Sequence, residues 1–276
     1  MKISAVVIMR DSEFFLRDLL DSLVTQVEPL HEILLVDSDS EDRTPLISKR
    51  YANKYPNIIF YNKAGPRGKC RNYGAHKATG DVVAFIDSDC IANPFWSREI
   101  RKSINRGADV VAGKTIRLGY EGFTSLQRVG MLHMDTDITY PSSNLSYKMK
   151  VFNDINGFDP WFKEAEEIDL NYRAVDKGYK LEYNSRAIAY HRARETFIAF
   201  FKQSFWYGFG RKELTLAHGS LWSEYNVLDM VKIEKEESIW KIIRLVIAAM
   251  GYVFCIFIKG NSDVKERFRA SNVSSR

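Results

Sequence analysis

The sequence predicts an α/β fold: a mostly parallel sheet with helices on both faces, followed by a C-terminal helical apolar segment. Three observations predict it. Apolar, β-branched runs alternate with segments of helical spacing. The runs are near-continuous, as strands buried on both faces are, and parallel sheets are covered in this way. Twice such a run stops abruptly at Asp-Ser-Asp, in EILLVDSDS and in VVAFIDSDC. Ligands of parallel sheets bind beyond the carboxyl ends of strands, where both triplets fall.

The elements follow in order. ISAVVIM (3–9) reads as a buried strand. Asp11 and Ser12 are N-cap types, and Phe15, Leu16, Leu19, Leu20 and Leu23 recur at helical spacing behind them. EILLVD (32–37) is the second strand, 46–55 a helix, and NIIFYN (57–62) the third strand. A helix over 69–78 leads through Gly80 into the strand DVVAFID (81–87), and DVVAG (109–113) is a fifth. Residues 114–160 show no clear period. EEIDLNYRAVDKG (166–178) is a helix closed by Gly178, and YKLEYN and AIAYH (179–191) are short strands. Residues 195–216 form an unusually aromatic helix, with Phe197, Phe200, Phe201, Phe205, Trp206, Tyr207 and Phe209.

The last segment, IWKIIRLVIAAMGYVFCIFIK (239–259), has no charge from Leu245 to Ile258. A membrane-spanning helix needs about 20 predominantly apolar residues, which makes this one borderline. The basic tail behind it holds Lys259, Lys265, Arg267, Arg269 and Arg276. A helix lying in the interface on the cytoplasmic side fits that pattern, with a single pass as the variant. The alternative is an amphipathic helix packed on the domain.

Of the 276 residues, 45% are hydrophobic, enough for a full core rather than a disordered chain. The net charge of +5 suits phosphorylated ligands or an anionic membrane surface as well as nucleic acid. Cys70, Cys90 and Cys255 form no CxxC pair, so neither a disulfide frame nor a zinc site is indicated, and a reducing cytoplasm fits. The apolar run before Arg10 is too short for a signal peptide. No G-x-G-x-x-G follows the first strand, and no G-x-x-x-x-G-K-[ST] is present. A dinucleotide dehydrogenase and a P-loop NTPase are thereby disfavoured.

Three D-x-D triplets occur, at 37–39, 87–89 and 135–137. The third follows no strand and reads as a solvated or capping pair. The other two would bring carboxylates to one crevice, where oxygen ligands favour Mg²⁺ or Mn²⁺ and the cation in turn favours a phosphorylated substrate. Asp at a strand end also caps turns, and that reading stands beside the first. Lys63, Arg67, Lys69, Arg71 and Lys77 cluster between the two triplets, as anion contacts or as a solvated helix face. Glu164, Glu166, Glu167 and Asp169 offer a general base, or else the acidic first turn of a helix.

The order of these pieces resembles the family-2 inverting glycosyltransferases of the GT-A type, whose sheet is Rossmann-like. The resemblance runs from Ile3 to about Arg211. It rests on SAVVIMRDSEFFLRDLLDSLVTQ, EILLVDSDSEDRT, GPRGKCRNYGAHKATGDVVAFIDSDC and NGFDPWFKEAEEIDLNYRAVDKGYKLEYNSRAIAYH, in that order. It implies that Asp37 meets the nucleobase of a nucleotide-sugar donor, with Arg71, Arg10 and Asp11 bordering the same pocket. It implies Asp89 as ligand of a divalent cation (Mg²⁺ or Mn²⁺) gripping the diphosphate, with Asp87 at the ribose or the metal and His191 as a further metal or phosphate contact. Ser142, Ser143 and Asn144 would line the sugar pocket.

Glu167 stands where such enzymes usually carry the catalytic Asp, and Glu166 precedes it, leaving either as the base. Ser38 replaces a frequent second Asp, and the Q-x-x-R-W pattern of processive synthases is absent, the nearest stretch being QSFWYGFGR. A single-addition transferase is therefore expected, acting on a hydroxyl, glycan or polyprenyl-linked acceptor in glycan, polysaccharide or glycolipid biosynthesis. Nucleic acid is not an expected partner. The second reading is a non-catalytic sugar-nucleotide-binding relative in a membrane complex. The expected division is a 1–218 transferase domain (1–113 donor half, 114–218 acceptor half) and a membrane-associated 219–276 segment.

Overall fold

The computed structural model describes residues 1–119, 130–192, 196–219 and 238–259. The chain divides into two compact units. The first holds Met1–Leu118, Leu132–Trp161 and Glu166–Ala193; the second holds Gly119–Met131, Phe162–Ala165 and Arg194–Arg276.

In the first unit the strands are β1 (Ile3–Met9), β2 (Glu32–Asp37), β3 (Ile58–Asn62), β4 (Val82–Ile86), β5 (Cys90–Ala92), β6 (Val110–Leu118), β7 (Leu132–His133), β8 (Thr136–Asp137), β9 (Asn144–Lys148) and β10 (Leu181–Arg192). Eight of them form one sheet in the order β3-β2-β1-β4-β9-β6-β10-β5, and β7 pairs with β8 in a second, two-stranded sheet. β1 runs parallel to β2 and β4, β2 to β3, and β6 to β10. The antiparallel partners are β9, between β4 and β6, and the short β5 beside β10. The predicted α/β fold with a mostly parallel sheet is what the chain adopts.

Among the described residues, six helices belong to this unit: α1 (Leu16–Val24), α2 (Thr44–Lys54), α3 (Arg67–Lys77), α4 (Trp96–Asn105), α5 (Met149–Asp154) and α6 (Glu166–Asp176). Strand alternation divides the core between them. Ala5 and Val7 of β1 join the cluster that includes Leu16, Leu19, Leu20 and Leu23 of α1 and Ile100 of α4. Val6 points into the opposite cluster with Ala75 of α3, Phe152 of α5 and Leu170 of α6. Successive side chains of a strand point to opposite faces, so both faces are covered. On α3, a Cβ at Gly74 would lie 2.6 Å from Val6 Cγ1. Only glycine allows that helix so close to β1, and the close approach carries Arg71 toward the strand ends.

Several boundaries differ from expectation. α1 starts at Leu16 with Phe15 as its flanking residue; Asp11 has φ 49° and the Ser12 carbonyl accepts the Phe15 and Leu16 amides in a preceding turn. The fifth strand runs on to Leu118. The two expected strands at 179–191 are one, interrupted by a register shift between Asn184 and Ile188. β9 was not foreseen: its sequence, NLSYK, looks polar, yet Asn144, Ser146 and Tyr147 are buried at the centre of the sheet.

The second unit contains α7 (Phe197–Ala217) and α8 (Ser238–Lys259), which pack together. A Cβ at Gly208 would come within 1.7 Å of the Ala248 carbonyl oxygen, and one at Gly251 within 1.9 Å of that of Phe205. These glycines let the two backbones meet. Trp240 of α8 packs on Phe197 and Phe200 of α7. α7 and α8 both belong to this unit. Ile242–Lys259 is long and apolar enough to cross a membrane, and only 11% of it is buried. Residue 195 and the tail residues Lys265, Arg267, Arg269 and Arg276 lie outside the described residues.

Candidate active site

The parallel register of β1, β2 and β4 puts the turns after these strands side by side. Hydroxyls join them. Ser12 Oγ meets Ser88 Oγ at 2.8 Å, the Ser12 amide donates to Thr44 Oγ1 at 2.7 Å, and the Asp11 amide donates to Ser40 Oγ at 2.9 Å. Asp37 is fully buried here. Its Oδ1 accepts from Ser40 Oγ at 2.6 Å and its Oδ2 from the Ser40 amide at 3.1 Å. Asp11 Oδ1 accepts the Glu41 amide at 2.9 Å, while Arg10 reaches into solvent with Nε 3.8 Å from Asp11 Oδ2.

A second cluster forms around Arg71. α3 delivers this side chain, 3% exposed, between two carboxylates: Glu166 Oε1 at 2.8 Å from Nη1 and Asp87 Oδ1 at 2.9 Å from Nη2. Arg67 Nε stands 3.9 Å from the same Glu166 oxygen. Burial works against the Arg71 charge, but Asp87 and Glu166 outweigh it and keep the guanidinium protonated. Burial likewise raises Asp87, but Arg71 and His191 hold it below the usual carboxylate range. Both ends of the Asn72 side-chain amide support the arrangement from the next position: Nδ2 donates to the Phe158 carbonyl at 2.7 Å, and Oδ1 accepts from the Phe158 backbone N–H at 2.9 Å.

Glu166 and Glu167 differ sharply. Glu166 is buried and held by Arg71. Glu167 has no side-chain ion pair or hydrogen bond to another residue among those described. Burial and the neighbouring Glu166 carboxylate push it up to about 7. A carboxyl group tuned to that range is suited to taking a proton near neutral pH. The chain enters this turn through Ala165, whose φ of 56° is unusual for a residue with a Cβ.

The third cluster is Asp89, Cys90 and His191, whose ligand atoms all lie within 4.8 Å of one another. The antiparallel register sets His191 opposite Cys90, beside Asp89. Asp89 Oδ1 is buried without a hydrogen bond, although His191 Nε2 is only 3.2 Å away. Two ligands on adjacent octahedral positions of one Mg²⁺-sized ion, with bonds of about 2.1 Å, stand roughly 3 Å apart. The pair therefore fits a shared divalent cation. Burial pulls the His191 imidazole down, but Asp89 and Asp87 raise it above its ordinary value. Burial, with Asp87 and Asp89 beside it, pushes the Cys90 thiol far up, so it stays protonated and leaves an oxygen–imidazole donor set.

The structure thus brings Arg71, Asp87 and Glu166 together, and Asp89 with His191. Arg10, Asp11 and Asp37 sit in the neighbouring β1 and β2 turns. Asn144 is engaged elsewhere. It accepts from Trp96 Nε1 and donates to the Ala187 and Lys114 carbonyls. It is 2% exposed, and through these bonds it ties the sheet together; Ser142 and Ser143 before it are also buried. In the DTD triplet Asp137 Oδ1 accepts from the Thr139 amide and hydroxyl, the capping role expected. Sequence reasoning missed Cys90 and the Ser12–Ser88 contact; the adjacency of Cys90 to the second triplet was the available signal.

A parallel-dominated sheet with acidic turns at these strand ends defines a GT-A-type glycosyltransferase scaffold. The chain belongs to glycosyl transferase family 2, whose family model matches residues 4–163. It is 26% identical over 189 residues to glycosyltransferase AglE of Haloferax volcanii, covering 63% of this chain and 62% of that protein. The chain thus spans less than two thirds of that relative's length. A glucosyl-dolichyl phosphate glucuronosyltransferase of the same organism is 26% identical over 248 residues, 79% of each chain. Among solved structures, the Pyrobaculum calidifontis mannosyltransferase PcManGT, in complex with GDP-Man and Mn²⁺, superposes with a TM-score of 0.63 at 14% identity. That match covers 99% of this chain and 80% of the other, and it supports the fold.

Proposed function

We propose that this protein is a metal-dependent, inverting glycosyltransferase. It moves one sugar from a nucleotide-sugar donor to a hydroxyl or lipid-linked acceptor. The observation that carries this reading is the buried Asp89 Oδ1, without a hydrogen bond and 3.2 Å from His191 Nε2, in a family-2 chain. Asp89 and His191 would hold the cation, with Asp87 beside them. When bound, that cation would neutralise charge developing on the leaving diphosphate.

The chain's own residues supply the rest. Arg71 fixes Asp87 and Glu166 on either side of its guanidinium. Asp37, Arg10 and Asp11 border the donor from the β1 and β2 turns. Glu167 is the base. As the acceptor oxygen attacks the anomeric carbon, its proton passes to the Glu167 carboxylate. The bond between the anomeric carbon and the diphosphate oxygen breaks, and its electron pair leaves with the nucleoside diphosphate. Attack opposite the leaving group inverts the anomeric centre. The Glu at 167 replaces a shorter Asp, yet its elevated proton affinity is that of a working base.

Membrane attachment is part of the proposal. α8 turns Val246, Met250, Val253 and Phe257 outward, the last 81% exposed. With Lys259 at its end and the basic tail in the sequence, it suits a peripheral or monotopic seat on the cytoplasmic face, near a lipid-linked acceptor. The glucuronosyltransferase relative bears a dolichyl phosphate substrate in its name, which supports an acceptor of this class.

Thermal-shift screening of nucleotide sugars tests the donor claim: stabilisation is expected with Mn²⁺ and should vanish in Asp89→Ala. If Asp89→Ala transfers sugar and hydrolyses donor at the wild-type rate with saturating Mn²⁺, the mechanism is wrong. Complete release from membranes in a high-salt wash, without detergent, would refute insertion of α8.

A further inference from the structure

The second unit contains a fully buried carboxylate that the proposed reaction does not use. Glu213, on α7, is 0% exposed. Its Oε1 accepts the Lys163 amide at 3.0 Å, its Oε2 accepts the Glu164 amide at 2.9 Å, and Lys259 Nζ of α8 lies 2.6 Å from Oε1. One turn earlier on the same helix, Gly210 faces the same loop. A Cβ there would stand 3.0 Å from Ala165 Cβ and 3.1 Å from Glu164 Cβ. Two residues of one helix face therefore grip three consecutive loop residues.

The gripped segment is strained. Ala165 has φ 56°, a conformation that a residue with a Cβ adopts only at a steric cost and that persists where surroundings enforce it. The chain passes from Ala165 straight into Glu166 and Glu167, so this backbone sets where α6 begins.

We infer that Glu213 is a positioning residue for glycosyl transfer: with Gly210 it clamps Lys163–Ala165, and the clamped loop fixes the Glu167 carboxylate at the start of α6. Lys259 adds the apolar helix α8 to the same node. The inference rests on Glu167 being the base. Glu213 itself touches neither donor nor acceptor. A structural carboxylate would serve stability alone, whereas a clamp on the base's loop controls turnover.

Three variants and two readouts test this. Glu213→Leu leaves the Lys163 and Glu164 amides without an acceptor. A displacement of about 1 Å at a reacting group can cost roughly 10²-fold. That loss is expected in kcat, with donor affinity by calorimetry within about twofold of wild type. Glu213→Gln keeps an oxygen for the two amides and should retain most of kcat. Gly210→Ala, which presses on Ala165 without burying a polar group, should lower kcat severalfold with the same unchanged donor affinity. Wild-type kcat in folded Glu213→Leu and Gly210→Ala, or equal losses in kcat and donor affinity, would overturn the inference.

Hydrogen exchange separates this failure from failure of the functional reading. The Lys163 and Glu164 amides should be protected in the wild type, keep most of that protection in Glu213→Gln and lose it in Glu213→Leu and Gly210→Ala, whatever reaction the protein performs. Rapid exchange at both amides in the wild type would sink the clamp while leaving the transferase reading intact. An inactive wild type with protected amides would sink the transferase reading, and with it the assignment of this clamp to a catalytic base.

Discussion

The two Asp-Ser-Asp turns have the same sequence and follow the two strands that flank β1 in parallel, yet their carboxylates are in opposite states. In the turn after β2, Asp37 is fully buried and both its oxygens accept hydrogen bonds from Ser40. In the turn after β4, Asp87 is partly exposed and bonded to Arg71, and Asp89 Oδ1 is buried with no hydrogen bond. Identical triplets diverge because the next residues of the chain differ. After the first comes Ser40, which folds back onto it. After the second comes β5, which pairs with β10 and brings His191 alongside. The adjacent glutamates repeat the contrast, with Glu166 held by Arg71 and Glu167 uncommitted. Committed carboxylates should matter chiefly for stability and uncommitted ones for chemistry, which gives the contrast a direct test.

The largest effect is expected at Glu167. Glu167→Gln should lower kcat by about 10²–10⁴-fold, the usual contribution of a general base, and leave the thermal midpoint nearly unchanged. The base must be deprotonated to act and its value lies at about 7, so wild-type kcat should rise as pH increases through 7 and level off above it. A Glu167→Gln variant of wild-type activity, or a wild-type rate that falls over that range, would break the contrast between the two glutamates.

The next largest effect falls on the committed side. Arg71→Ala leaves Glu166 buried without its main partner, and breaking a buried ion pair from one side costs about 3–5 kcal/mol. Denaturant unfolding should show this as a lower midpoint, before any loss of activity is considered. A change under about 1 kcal/mol would mean that the network is solvated and that the distinction from Glu167 is overstated.

The sheet was legible because its strands are uniformly apolar, and β1 and β2 run as read, Ile3–Met9 and Glu32–Asp37. β9 was not legible, because the burial of Asn144 is offset by three specific hydrogen bonds that no periodicity reveals. The site was legible in its members more than in its pairings. Strand ends indicated Asp37, Asp87 and Asp89 from local pattern. The meeting of Arg71 with Glu166 spans 95 residues, and only folding separates the held glutamate from the uncommitted one. Glu213 gave no local signal at all, since its partners are backbone amides 49 and 50 residues away.

Asp37→Ala should cost about 1–3 kcal/mol, because it strips the Ser40 hydroxyl and amide of their acceptor at a buried position. Its donor affinity is the sharper readout. Family resemblance assigns Asp37 to the nucleobase, while its hydrogen bonds assign it to the turn. Loss of stability with unchanged donor affinity would reserve it for the turn. A tenfold weaker donor would show that a carboxylate can serve both.

The smallest effect is expected at Asp39, the counterpart of Asp89 in the first triplet. Asp39 is exposed and has φ 53°, a conformation that glycine adopts without steric cost. Asp39→Gly should therefore shift stability by less than about 1 kcal/mol, since relief at the turn is offset by the greater freedom of glycine in the unfolded chain. Donor binding with Mn²⁺ should be unchanged, in contrast to its loss in Asp89→Ala. The pair of variants compares the same position of the same triplet in two surroundings. If Asp39→Gly weakens Mn²⁺-dependent donor binding as much as Asp89→Ala does, then both triplets reach the donor, and the pairing of Asp89 with His191 is not what distinguishes them.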